Sequence, residues 1–155
     1  MRYRPASFPC CRDHDLYEPL EEYAQSIKRS LADEVYYFRW QSSFDGNATI
    51  RIARQARRVA VFRVYRPERF DRARLCRRWL PHADWERLED ALVEAQFWLL
   101  DENGGHEAVL DGATWMFAGR RGPDYHCISR RCPSLPVRDL GRCIFDLAGL
   151  EDVRL

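Results

Sequence analysis

Between Glu34 and Arg66 three runs of strand-type residues follow one another with almost no chain between them, and this constrains the fold more than any other feature. "EVYYFRWQSSF" is aromatic and β-branched, and its alternation sets Tyr36, Phe38 and Trp40 on one face. "ATIRIARQ" turns Ile50 and Ile52 inward and Thr49 and Arg51 outward, and "RRVAVFRVYR" follows after a short polar connection. The "DGN" at Asp45–Asn47 is a strong turn signal between the first two runs. The three runs therefore form a meander, which Pro67 ends.

Helical spacing flanks the meander. "YEPLEEYAQSIKRSLADE" repeats Leu20, Tyr23, Ala24, Ile27 and Leu31 on one face, with acids early and bases late as the helix dipole favours. After Pro67, "ERFDRARLCRRWL" reads as a short basic helix stopped by Pro81. "ADWERLEDALVEAQFWLLDENGG" gives the clearest helical stripe, Trp85, Leu88, Leu92, Ala95 and Leu99, with Asp84 placed to cap it and Asn103–Gly105 to end it. A hairpin follows, with strands over Thr114–Ala118 and Tyr125–Arg130 around "GRRGPD". "LPVRDLGRCIFDLAGL" closes the chain with Val137, Leu140, Ile144 and Leu147 on one helical face and Gly149 at the C-cap. The expected fold is α+β, an antiparallel sheet of about five strands packed against helices in the order α-βββ-α-ββ-α. A Pro- and Arg-rich arm over 1–15 precedes a single domain over 16–155.

With 155 residues, 46% hydrophobic and 13% aromatic, the chain can bury one sizeable core and is not of the disordered class. Its net charge is only +1, but the charge is unevenly spread. Arg51–Arg78 holds eleven arginines against Glu68 and Asp71, while the flanking stretches are mildly acidic. Lys28 is the only lysine, a bias that points to GC-rich bacterial coding as well as to the carboxylate-gripping guanidinium fork. Three readings of the arginine block compete. Electrostatic complementarity to an acidic protein comes first, a solvated face second. Nucleic-acid binding, with Tyr65, Phe70 and Trp79 available to stack, comes third because the chain as a whole is not basic.

The six cysteines, Cys10, Cys11, Cys76, Cys127, Cys132 and Cys143, make no paired C-x-x-C knuckles, which argues against structural zinc and for buried reduced thiols. Cys10, Cys11 and His14 would need further ligands from elsewhere to hold a metal, so the arm is expected to bind none. "MRYRPASFPCCRDH" has no apolar signal core, and no apolar run is long enough to span a bilayer. The expected location is cytoplasmic, with no membrane partner and no cofactor.

The stretch "LDGATWMFAGRRGPDYHCISRRCP" carries the residues most suggestive of chemistry. Asp111 before Gly112 could act as a base, but Asp-Gly ahead of a strand is ordinarily a turn. His126 and Cys127 adjoin, yet neighbours on a strand face opposite ways and cannot work as base and nucleophile. As an enzyme, the chain offers Asp111, His126 and Arg130 as its best catalytic trio. Trp40, Trp79, Trp85, Trp98 and Trp115 read mostly as packing.

Several short segments, "YYFRWQSSF", "FWLL", "DGATWMFAG", "YHCISRRCP" and "LAGL", together resemble a group of small bacterial α+β proteins marked by Asp-Gly-x-x-Trp and Tyr-His motifs. The match spans roughly 35–150, with Ala118 standing where the pattern has an acidic residue. The resemblance implies a stand-alone accessory domain with no catalytic residue to carry over, similar in size and class to immunity proteins of toxin systems. The expected function is thus non-enzymatic binding and neutralisation of a cognate toxin. The expected contact residues are Arg120 and Arg121 at the hairpin tip with Asp124, Arg63, Arg66 and Arg130. The alternatives are a nucleic-acid-binding regulator using the 51–78 face and a small enzyme.

Overall fold

The computed structural model describes residues 25, 27–42, 46–67, 72–102, 112–131, 133–153 and 155. The expected arm over 1–15 and half of the expected first helix lie outside them. Of the described half, Gln25, Ile27 and Lys28 are helical, but the chain leaves the helix before Leu31, which is exposed rather than on the core face, and Glu34 already begins the first strand.

Six strands form one antiparallel sheet: β1 (Glu34–Gln41), β2 (Asn47–Gln55), β3 (Arg58–Arg66), β4 (Arg74–Leu80), β5 (Thr114–Arg121) and β6 (Asp124–Arg130). Their spatial order is β4-β3-β2-β1-β5-β6, so the meander extends to four strands and the later hairpin joins it beside β1. Helix α1 (His82–Glu94) separates the two groups, and α2 (Leu135–Leu147) ends the fold. The class is α+β, as expected, but the order is ββββ-α-ββ-α over the described elements, with six strands rather than about five.

The sixth strand replaces the basic helix expected over 68–80. Leu75 and Trp79 stand four apart, as on a helix, but the same segment also alternates. Arg74, Cys76, Arg78 and Leu80 face one way, and Leu75, Arg77 and Trp79 the other. Tertiary context decides between these periods. β3 buries Val59, Val61 and Val64, and its outer backbone groups need a ladder partner, which 74–80 supplies from Val59↔Leu80 to Tyr65↔Arg74.

One face of the sheet is aromatic. Tyr36, Phe38 and Trp40 of β1 meet Ile52, Ile50 and Ala48 of β2 and Gly119, Phe117 and Trp115 of β5. Phe38 stacks on Phe117 at 4.4 Å, and Phe145 of α2 stands edge-on to both Phe38 and Trp40. Trp85, Leu88 and Leu92 of α1 and Val137, Leu140, Ile144 and Leu147 of α2 complete this core. The opposite face carries small residues in its centre. Val35, Ala53 and Ala118 leave room for Ile27, which is fully buried there.

α1 differs from its expected form at both ends. It begins at His82 behind Pro81, and Asp84 makes no capping bond but sits in the first turn, 3.5 Å from Arg87. It ends at Glu94, because Gln96 adopts a left-handed φ of 51° and redirects the chain into a short 3-10 turn, Phe97–Leu99. The reset of the helical period buries Phe97 and leaves Leu99 83% exposed instead of on the core stripe. The expected stop at Asn103–Gly105 lies outside the described residues. α2 keeps its expected face, and Gly149, at φ 69°, closes it with Leu150 N–H bonded to the Phe145 carbonyl and Gly149 N–H to that of Asp146.

Gly141 sets how closely α2 lies on the sheet. A Cβ there would stand 2.3 Å from the Trp115 ring and 3.3 Å from Phe38. Alanine favours a helix by about 1 kcal/mol over glycine, but overpacking against a buried indole costs about 1–3 kcal/mol. Gly141→Ala is therefore expected to lower stability by up to about 2 kcal/mol in urea melts, against the propensity trend. A stabilised variant would show that α2 is not seated on Trp115.

Candidate functional site

Two clusters stand out. The first is a row of alternating charge across one end of the helix-covered face: Arg54 of β2, Glu34 of β1, Arg121 of β5 and Asp124 of β6 are successive cross-strand partners. Glu34 is 6% exposed and receives Arg54 Nη2 at 2.9 Å and Arg121 Nε at 3.2 Å on the same oxygen. Tyr36 Oη donates to its other oxygen at 3.3 Å and accepts from Arg121 Nη2 at 3.2 Å. The two guanidinium groups lie over Trp85 and Trp98. Burial, reinforced by the Glu34 carboxylate, pushes the Tyr36 hydroxyl well above its ordinary value, so it remains a donor through the neutral range. Each charge in this row meets a neighbour of opposite sign, which makes it a structural clamp at the sheet end.

The second cluster is the outer strand β4 with the adjoining turn. Arg57, Arg58, Arg72, Arg74 and Arg77 are exposed on this side of the molecule. Trp79 and Leu75 flank Arg77 on one face of the strand and are 55% and 58% exposed. Arg58 lies over the Trp79 ring at 5.7 Å. Large apolar side chains set among arginines have the composition of energetically important contact residues, because each can be desolvated by a partner while the guanidinium finds a carboxylate.

The sequence-predicted contact residues divide. Arg120 does not project from a hairpin tip. The turn is only Gly122–Pro123, with glycine at φ 55° in the first position as a type II′ turn requires, so Arg120 lies within β5. From the small-residue face it donates to the carbonyls of Ile27, Ser30 and Ala32, and also to that of Gly122. Arg63 donates to Ala148 and Gly149, at the carbonyl end of α2. Arg130, 8% exposed, reaches Asp101 and Glu102, and burial pushes its guanidinium below the ordinary value. Arg121 and Asp124 face each other in the charged row, and Arg66 ends β3 opposite Asn47. The structure thus does not gather these six into one patch. The Arg51–Arg78 excess was the signal for the β4 cluster, but a helical reading of 68–80 hid which side chains share its face.

The catalytic candidates are not brought together among the described residues. Asp111, with Cys10, Cys11 and His14, lies outside them. His126 and Arg130 share a face of β6 with Ile128 between them, about 13 Å along the strand. His126 packs edge-on to Phe97, and its Nε2 is buried with no hydrogen-bond partner among the described residues. Cys127 faces the other way, beside Tyr125, and burial pushes its thiol up, away from the reactive thiolate. Cys76, Cys127 and Cys143 are free and half-buried. Among the described residues no three His, Cys, Asp or Glu side chains are placed to hold a metal, and no helix is long and apolar enough to cross a membrane. No family model matches the chain, and no curated protein matches it.

The bonds of Arg120 predict its role. Arg120→Ala leaves several carbonyls without donors and is expected to cost about 2 kcal/mol in a denaturant melt, with faster proteolysis within 25–32. Unchanged stability and cleavage would mean that the segment is held by other contacts. Alkaline titration gives a second check. Tyr36 and Tyr125 are both raised by burial above an ordinary value of 10.0, so the folded state resists their ionisation. Their stabilising effect is whole below that value and declines as pH rises above it, because the unfolded chain ionises first. Melting temperature is expected to fall from about pH 10 upward, with less of that fall in Tyr36→Phe.

Proposed function

We propose that this chain is a non-enzymatic bacterial protein-binding domain that docks an acidic partner through the β4 side of its sheet. The form of this reading closest to the resemblance of its motifs is an immunity protein that binds and neutralises a cognate toxin in the cytoplasm. The observation that carries it is the division of the arginines. Arg63, Arg78, Arg120 and Arg130 turn to the chain's own carbonyls, whereas Arg57, Arg58, Arg72 and Arg74 stand exposed on the side of the sheet that carries the exposed Trp79 and Leu75. A neutralising domain needs only such a surface, since covering the partner's working site requires no chemistry of its own.

One observation favours a second reading. An exposed indole beside stacked guanidinium is also a platform for an unpaired base, as a nucleic-acid-binding regulator would use. The chain as a whole carries a net charge of only +1, with Asp84, Glu86, Glu89, Asp90 and Glu94 of α1 on the helix-covered side of the sheet, and this weighs against a long phosphate chain as the partner.

Affinity capture of the tagged chain from its native cells, compared with Arg74→Glu combined with Arg77→Glu, tests the reading. The wild type is expected to retain a protein whose expression alone arrests growth, and the charge-reversed chain to lose it while its melting temperature moves by a few degrees at most. Retention by both chains would place the interface elsewhere. A captured species removed by nuclease would favour the regulator.

A further inference from the structure

Among the described residues the two edges of the sheet are treated differently. Beside β6, the Ser129 N–H donates at 3.0 Å to the Glu102 carbonyl, and Arg130 holds Asp101 and Glu102 against the same edge. Beside β4, no described residue bridges the outer backbone, and the only ladder that β4 makes is with β3. An open edge strand is a template for another strand, and proteins that need only to block it place charge there. Charge alone does not account for β4, because Trp79 and Leu75 stand exposed on either side of Arg77 at the two-residue spacing of a strand.

We infer, building on the function proposed above, that the partner adds an extended acidic strand to the outer edge of β4, antiparallel to it. A second copy of this chain is disfavoured as the occupant, since the antiparallel register that sets Trp79 against Leu75 also sets Arg77 against Arg77 along two basic strands. Alternation dictates the guest's pattern. Apolar residues lie opposite Trp79 and Leu75, and carboxylates opposite Arg77 and Arg74. The position opposite Arg78 is less demanding, because Arg78 Nη2 already donates to the Leu147 carbonyl at 2.6 Å. Read in the guest's direction, the motif is apolar, any, acidic, any, apolar, acidic. Main-chain bonds supply register, and the alternating side chains supply selectivity.

The probe is the peptide Val-Thr-Glu-Thr-Val-Glu between Ser-Gly flanks, titrated into the full chain with backbone amide shifts of β4 as the readout. A scrambled peptide of the same composition and two versions N-methylated at alternate positions complete the set. The inference expects the patterned peptide to shift the β4 amides, with the scrambled one weaker by about tenfold, a difference of about 1.4 kcal/mol. One alternately methylated version should lose binding and the other keep it, because only every second amide of an added strand faces β4. Equal binding of the scrambled peptide, or equal behaviour of both methylated versions, would reduce the interaction to charge and overturn strand addition while leaving the proposed function standing. No shift with any peptide, when Arg74→Glu with Arg77→Glu still loses the natural partner, would also reject strand addition alone. No shift together with a partner retained by that variant would reject both.

Discussion

Guanidinium groups donating to main-chain carbonyls hold this fold together at several places where the chain leaves a regular element. A helix end or a loop crossing leaves carbonyls without intrachain donors, and burying them unpaired costs more than most single contacts return. Arg63 and Arg78 reach from β3 and β4 to the last carbonyls of α2, where the helix dipole also favours a cation. Arg142 reaches Val153, Arg130 reaches Asp101 and Glu102, and Arg120 gathers three carbonyls of 25–32. Lysine would serve these places poorly, since one ammonium cannot bridge two or three carbonyls in a plane. The arginine bias is therefore partly architectural, whatever its coding origin.

These clips act on a sheet whose two faces solve different problems. The aromatic face must bring two helices close, and it does so by removing side chains at the points of contact. Gly141 admits Trp115, and Gly119 admits Phe97 and the Tyr36 ring. The other face has Val35, Ala53 and Ala118 at its centre, and among the described residues Ile27 is buried against them while Arg120 holds the backbone around it. At one end of the aromatic face Glu34 neutralises Arg54 and Arg121 at once. Removing that carboxylate would leave two guanidinium groups over Trp85 and Trp98 with their shared counter-charge gone.

How much of this was legible in the sequence follows from which interactions are local. The β1–β3 meander and the face of α2 were readable because period, turn residues and cap all agreed, as at Gly149 and along Tyr36, Phe38 and Trp40. β4 was not, because Leu75 and Trp79 satisfy both the helical and the strand period and only β3 chooses between them. Leu99 was misplaced because the left-handed Gln96 breaks the helical period without a glycine or proline to announce it. The basic block was visible as composition, but its division into internal clips and an exposed edge depends on carbonyls as much as 93 positions away in sequence, in the bond from Arg120 to Ile27. No propensity records that.

The same division gives the molecule a direction. β2, β3 and β4 are consecutive in space as well as in sequence, so an excess that is only a local average along the chain becomes one flank of the sheet. α1 contributes five acids and one arginine, which keeps the total near neutrality and the positive field confined. Screening limits such a field to about 8 Å at physiological salt, so it steers an approaching acidic surface only over the last stage of encounter. In the proposed complex the hold that follows is short-ranged, through Trp79, Leu75 and the β4 backbone that no described residue bridges. Under that proposal charge selects who arrives, and the edge strand decides who stays.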